Sequence, residues 1–318
     1  MTAVAVPGTT ARPKARRGLL RSLLSNRMAL FGLAIVLFFI AVALLAPVIA
    51  PGDPGKFVGK PNQPPSAEFW LGTNHLGKDV FKQTVWGARN SLLVGFGTAL
   101  LSTLVAVVVG MTAGYFRGRV DDVLTLVMNL FLVIPGLPLL IVLSGYLQPG
   151  TTTVIFVLTL TGWAFAARIV RSQTLMLREK DFAAAAKVSG ENDFRIIFGE
   201  ILPNMTSILV GISISGVGYG IAAATALSFL GFTDISEVTW GTNLYWAQQG
   251  NALLSGAWWT FIPAGLCVAL VIFGLSLVNY AVDTITNPRL RAEKDVEDVL
   301  KHQSHASVRA TPVVRHAQ

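Results

Sequence analysis

Seventeen carboxylates, four histidines and one cysteine are the candidates for chemistry in this chain of 318 residues. Every acid and every histidine falls outside the six longest apolar stretches. A carrier driven by an ion gradient needs ionisable groups near the membrane midplane, so this pattern argues against one running by itself. Asp79 and His75 are two metal-ligand types lying close together, and without a third they do not make a site. Cys267 sits alone in an apolar run, which rules out an intrachain disulfide. The chain has no G-x-x-x-x-G-K-[ST] loop, so it is not expected to bind ATP itself. Neither catalysis nor a bound metal or cofactor is expected of it.

The stretch with the most local design is polar: Asp181 to Asn204, DFAAAAKVSGENDFRIIFGEILPN, between two long apolar segments. Its alanine-rich first half, Phe182 to Ser189, predicts a helix. Gly190 ends it, because glycine adopts the left-handed C′ conformation without steric cost. Asn192 or Asp193 can cap a second short helix. There Phe194, Ile197, Phe198 and Ile201 fall on one predicted apolar stripe, and Pro203 closes the segment. Two short helices joined at a glycine make a knob suited to pressing into a partner.

The elements that position this knob are membrane spans. The chain is 53% hydrophobic and 13% charged, with mean hydropathy +0.59, whereas soluble domains carry about 25% charged residues. Six stretches have the roughly 20 apolar residues needed to cross a bilayer: 28–50, 92–116, 123–146, 151–168, 205–232 and 258–282. The run behind the basic residues 1–27 is too long for a signal-peptide core, so it predicts an uncleaved first span.

Net charge is +8, and twenty of the twenty-five Lys and Arg fall on one side if both termini are cytoplasmic. The other five, Lys56, Lys60, Lys78, Lys82 and Arg89, sit in the long 51–91 segment, and long loops weigh little in this rule. The expected organisation is therefore a basic cytoplasmic tail (1–27), a first span (28–50) and an extracytoplasmic segment (51–91). A transmembrane core (92–283) with its cytoplasmic loop at 175–204 and a partly disordered cytoplasmic tail (284–318) follow. Basic charge of this kind reflects orientation in a lipid membrane and gives no reason to expect nucleic acid as a partner.

Two spans carry features of a solute path. Pro135 and Pro138 break the third, and such breaks tend to line cavities. The fifth is rich in small residues, Gly216 and Gly220 among them, which permit close helix approach or leave room for a solute.

The polar loop is similar to the "EAA" loop of membrane subunits of ATP-binding-cassette (ABC) importers. Ala185, Ala186, Gly190, Leu202 and Pro203 stand where that pattern wants them; Ala184 replaces its Glu, and Glu200 stands where it has Ile. A second block is similar to permeases of the dipeptide/oligopeptide/nickel importer subfamily. It comprises Leu71, Gly72, Thr73, Gly77, Asp79, Val80 and Phe81, then Gly87, Ala88, Arg89, Ser91 and Leu92, with Asn74 and Lys78 departing from it. Ser228-Phe229-Leu230-Gly231, Trp240-Gly241 and Asn287-Pro288-Arg289-Leu290 resemble further blocks.

The resemblance implies an all-α integral membrane protein of six transmembrane helices, a type I ABC importer transmembrane domain with both termini cytoplasmic, in a bacterial plasma membrane. It implies a permease subunit that forms half of a path for di- or oligopeptides. The implied partners are a homologous second permease, two cytoplasmic ABC ATPases that hold the ATP and Mg, and an extracytoplasmic substrate-binding protein. ATPase coupling then falls to Asp181, Ala184, Ala185, Ala186, Gly190 and Asp193. The path falls to Pro135, Pro138, Gly216 and Gly220, and binding-protein docking to Asp79, Asp234 and Trp240. The competing readings are a stand-alone channel or carrier, and an importer of this type for nickel, haem or glutathione.

Overall fold

The computed structural model describes residues 26–134 and 136–286. The expectations for most of the basic tail, for Pro135, for the block at 287–290 and for the C-terminal tail lie outside them. Among the described residues the protein is helical, with two isolated β-bridges, Phe57 with Lys78 and Thr73 with Asp79.

The described residues open with α1 (Arg27–Leu44), capped by the Asn26 side chain, and a short α2 (Ala46–Ile49) with Pro47 in its first turn. After an irregular loop, α3 (Val80–Phe116) runs for 37 residues, about 55 Å at 1.5 Å per residue and well beyond the apolar core of a bilayer. It therefore begins twelve residues earlier than the apolar pattern placed the second span, because Asp79 supplies a cap and nothing from Val80 to Ser91 breaks a helix. Then come α4 (Gly118–Val133), α5 (Gly136–Tyr146) and α6 (Thr151–Arg178). The knob comprises α7 (Asp181–Val188), α8 (Asp193–Arg195), a π-helical turn (Ile196–Ile201) and α9 (Leu202–Asn204). The chain finishes with α10 (Thr206–Phe229), α11 (Trp240–Gln249) and α12 (Ile262–Thr286).

Among the described residues, five helices are long and apolar enough to cross a membrane: α1, α3, α6, α10 and α12. The third expected span is instead two pieces of 16 and 11 residues that part between Val133 and Gly136. Proline has no N–H to give and its ring disfavours helix in the residue before it; Ile134 is accordingly extended, at ψ 125°.

The bundle is built on α3, which packs along α6 and α10, while α12 packs on α1 and α10. Close approach is set by glycine. A Cβ on Gly95 would stand 2.5 Å from Ile221, and one on Gly220 only 3.1 Å from the Cα of Gly95. Lipid offers little hydrophobic drive between helices, so such backbone contact supplies the packing.

Candidate functional site

The knob lies at one end of the long helix. Gly190 has φ +81°, and the N–H of Glu191 reaches the carbonyl of Ala186, closing α7 in the Schellman pattern that needs a left-handed residue. Asn192 caps α8, its side chain accepting from the Arg195 N–H at 2.7 Å. The expected single apolar stripe divides in two. In the π-helical turn bonds run from i to i+5, as from the Leu202 N–H to the Ile197 carbonyl, so residues shift around the axis. Ile196, Ile197 and Ile201 turn inward onto Met111, Tyr115, Val170 and Met205. Phe194 and Phe198 turn outward and stack on each other at 4.4 Å, 71% and 43% exposed.

Polar contacts fix the knob to the bundle. The Tyr115 hydroxyl, near the end of α3, donates to Asp193 at 2.6 Å. Arg178, the last residue of α6, donates to the Tyr115 carbonyl and lies over its ring. Arg117 pairs with Glu179 at 2.6 Å. Asp193 is thus tied to the chain's own bundle while its side chain stays exposed. Asp181, Ala184, Ala185 and Gly190 are exposed, Ala186 is half-buried against the apolar cluster, and Val188 is 91% exposed. Sequence reasoning missed Tyr115 and Arg178. The one signal for them was their place where long apolar runs meet charge.

Above the knob, a cavity of about 520 Å³ lies among α3, α6, α10 and α12. This is within the usual size of ligand pockets. Ser102 and Thr103, Thr161 and Gly162, Ser215 and Gly216 with Tyr219, and Asn279 with Asp283 are among its walls. The fifth expected span contributes to it through Gly216. Gly220 does not line it, being spent on contact with α3. Pro138 is exposed on α5 and is not among the residues that line this cavity. Asp283 is exposed and lies one residue past the last apolar run. Helix α12 runs on to Thr286, and this carboxylate lies on a cavity wall.

The opposite end of α3 is a knot of side chains. Asp79 is 9% exposed and caps α3, accepting from the N–H groups of Phe81 at 2.8 Å and Lys82 at 3.3 Å. Asn74, buried at 4%, accepts from the N–H groups of Leu76 and Lys78 and donates to Gln83. Thr73, fully buried, donates to the Lys60 carbonyl at 2.6 Å. Trp240 is fully buried. Its indole N–H donates to the Thr84 carbonyl at 3.0 Å, its backbone N–H to Ser91 at 3.0 Å, and its ring meets Phe39 edge-on. Gly87 leaves room for it, since a Cβ there would stand 3.0 Å from the indole. Burial removes Asp79 and Trp240 from any docking surface, a correction to both; the motif that contains them holds the loop end together.

Glu237 ties the loop after α10 to the first residue of α6, accepting from the Thr151 hydroxyl at 2.6 Å. Asp234 is partly exposed, and Ser236 donates to it through hydroxyl and backbone, holding its carboxyl below the usual range. Burial, and then the Lys78 charge, hold His75 below the ordinary imidazole value; it packs on Trp246.

A helical bundle of membrane-crossing length, with a side cavity and a knob locked to one end, defines the class as a multi-span membrane protein. The chain belongs to the binding-protein-dependent transport system inner membrane components, whose family profile matches residues 106–292. Residues 16–65 match the N-terminal transmembrane domain of oligopeptide transport permease C. The dipeptide transport system permease protein DppC of Bacillus subtilis is 36% identical over 275 residues, 85% of either chain. The oligopeptide transport system permease protein OppC of the same organism is 34% identical over 271 residues, 84% of this chain and 87% of that one. OppC of Mycobacterium tuberculosis is 36% identical over 257 residues, 79% and 87%.

Proposed function

We propose that this chain is the membrane-spanning subunit of an ATP-driven importer, carrying half of the path for di- or oligopeptides across a bacterial plasma membrane. The observation that carries the reading is the knob, whose exposed apolar tip is mounted on the same helices that wall the cavity. Val188, Phe194 and Phe198 offer a partner an exposed apolar surface. The names of the relatives point to peptides as cargo.

The partners in this reading are two ATPases that bind ATP and Mg, a second homologous permease and an extracytoplasmic binding protein. The chain itself performs no catalysis and holds no cofactor. Closure of the ATPases moves the knob, and the Tyr115–Asp193 bond with the Arg178 contact passes that motion to α3 and α6. Those helices carry Ser102, Thr103 and Thr161, so the cavity wall moves with the knob. Alternating exposure follows from rocking of rigid helices about a fixed site.

The test is reconstitution of the assembled complex with its binding protein into liposomes. Uptake of a labelled dipeptide is expected only with ATP. Uptake by this chain without ATPase subunits would overturn the reading in favour of a stand-alone channel. Competition by nickel, haem or glutathione at the expense of peptide would overturn the cargo. In a Cys267→Ser background, a cysteine at Lys60 is expected to label with an impermeant maleimide in intact cells, and one at Arg195 is not.

A further inference from the structure

The cavity holds polar groups that packing does not explain. The Oδ1 of Asn279 and the Oγ of Ser102 are buried, belong to residues that line the cavity and have no hydrogen-bond partner among the described residues. A buried polar atom left unpaired costs about 1–3 kcal/mol, so a native structure keeps one for a reason. Asn279 lies one helical turn from Asp283 on α12, and the two oxygens converge on a bare stretch of α10. A Cβ on Gly211 would stand 3.3 Å from the Oδ1 of Asn279 and 3.7 Å from that of Asp283. Glycine therefore keeps open a niche faced by an amide oxygen and a carboxylate. Asp283 already has an interaction of its own, and a carboxylate has lone pairs for several donors. Asp283 is the one charged group among the described residues that line the cavity.

We propose that this niche is an ammonium-binding subsite, in which Asn279 and Asp283 receive the N–H groups of a protonated amine passing through the cavity. The inference rests on the peptide reading only for the identity of the amine, which would be the α-ammonium of the cargo. Oxygen acceptors from a neutral and an anionic group suit a compact, three-donor cation. A cargo carboxylate would meet the like charge of Asp283, so cargo presents its amino end to this wall. The hydroxyls of Thr161 and Tyr219, 3.1 Å apart, lie elsewhere on the cavity wall.

Two experiments test it. In the reconstituted complex, uptake of a free dipeptide is compared with that of its N-acetyl form, at saturating occupancy of the binding protein. The ratio of the two is then compared between parent and variant, which cancels selection by the binding protein. Asn279→Leu is expected to lower that ratio about tenfold, the scale of one hydrogen bond to a charged group, and Asn279→Asp to raise it. A ratio moved by neither variant overturns the proposal.

The second readout needs no transport. With Cys267→Ser and a cysteine at Ser215 on the cavity wall, a cationic methanethiosulfonate is expected to react faster than an anionic one. Asp283→Asn should abolish that preference. A preference absent in the parent, or unmoved by Asp283→Asn, overturns the subsite even where peptide import is intact. If the complex imports no peptide and the reagent preference stands, the peptide reading fails and the ammonium subsite holds.

Discussion

The two ends of α3 are held by opposite means. At the loop end, residues of α1 and α3 converge on Trp240, and its indole is entirely enclosed. At the knob end, an apolar base is pinned through Tyr115, Arg178 and Arg117, while Val188 and Phe194 remain largely exposed. One end is closed against itself and the other is left open to a partner. A helix that must carry motion needs one end that does not yield and one that can be gripped. The contrast also shows that a motif in a loop need not lie on the surface. Asp79 and Trp240 belong to segments read as docking loops, and both are spent inside.

Removing the anchor of the closed end should have the largest effect. Trp240→Ala leaves a cavity where a fully enclosed indole stood and is expected to cost about 3–5 kcal/mol. Thermal unfolding of the detergent-purified protein should shift downward, with transport lost in proportion to folded protein. An unchanged unfolding temperature would show that the knot is not what fixes this end.

At the open end, Tyr115→Phe removes the donor to Asp193 and should loosen the knob by about 1.5–3 kcal/mol, the scale for a hydrogen bond to a charged group. Hydrogen exchange should rise across residues 181–205, while the unfolding temperature stays near the parent's. If exchange rises throughout the bundle instead, the two ends are not independent.

Gly190→Val is expected to strain the knob by about 1–2 kcal/mol, because an L-residue opposes the left-handed backbone. No atom lies within 4 Å of a Cβ there, so the substitution tests backbone geometry without a clash. Transport should fall and ATPase activity become uncoupled, with assembly retained. Transport at the parent level would reduce the knob to a surface loop.

The smallest effect is expected of Ala184→Glu. This exposed position should accept Glu with no loss of stability, and retention of the ATPase during purification should be equal or stronger. Weaker retention would place Ala184 away from the gripped surface.

Local chemistry made much of this legible. Long apolar runs fix most membrane-crossing helices, because each backbone group must be satisfied within its own segment in lipid. Gly190 and Asn192 mark the bend and cap of the knob through bonds spanning five residues or fewer. The break in the third apolar stretch was also visible, since proline acts on its immediate neighbours. Ala184, Ala185 and Gly190, which the family resemblance set against a partner, are exposed.

Tertiary structure alone decided the rest. Trp240 turns inward because Ser91 and Thr84, 149 and 156 positions away, offer it bonding partners and Gly87 leaves it space. The 3.6-residue period put Phe194 beside Ile197, and the π-helical turn separated them. Asp283 reads as a polar residue past the last apolar run, and the extra turn of α12 brings it to the cavity beside Asn279 and Gly211. Sequence periodicity records what a residue's near neighbours permit. Which side chains meet across the bundle is set by how closely the helix backbones approach, and small residues far apart in the chain control that approach.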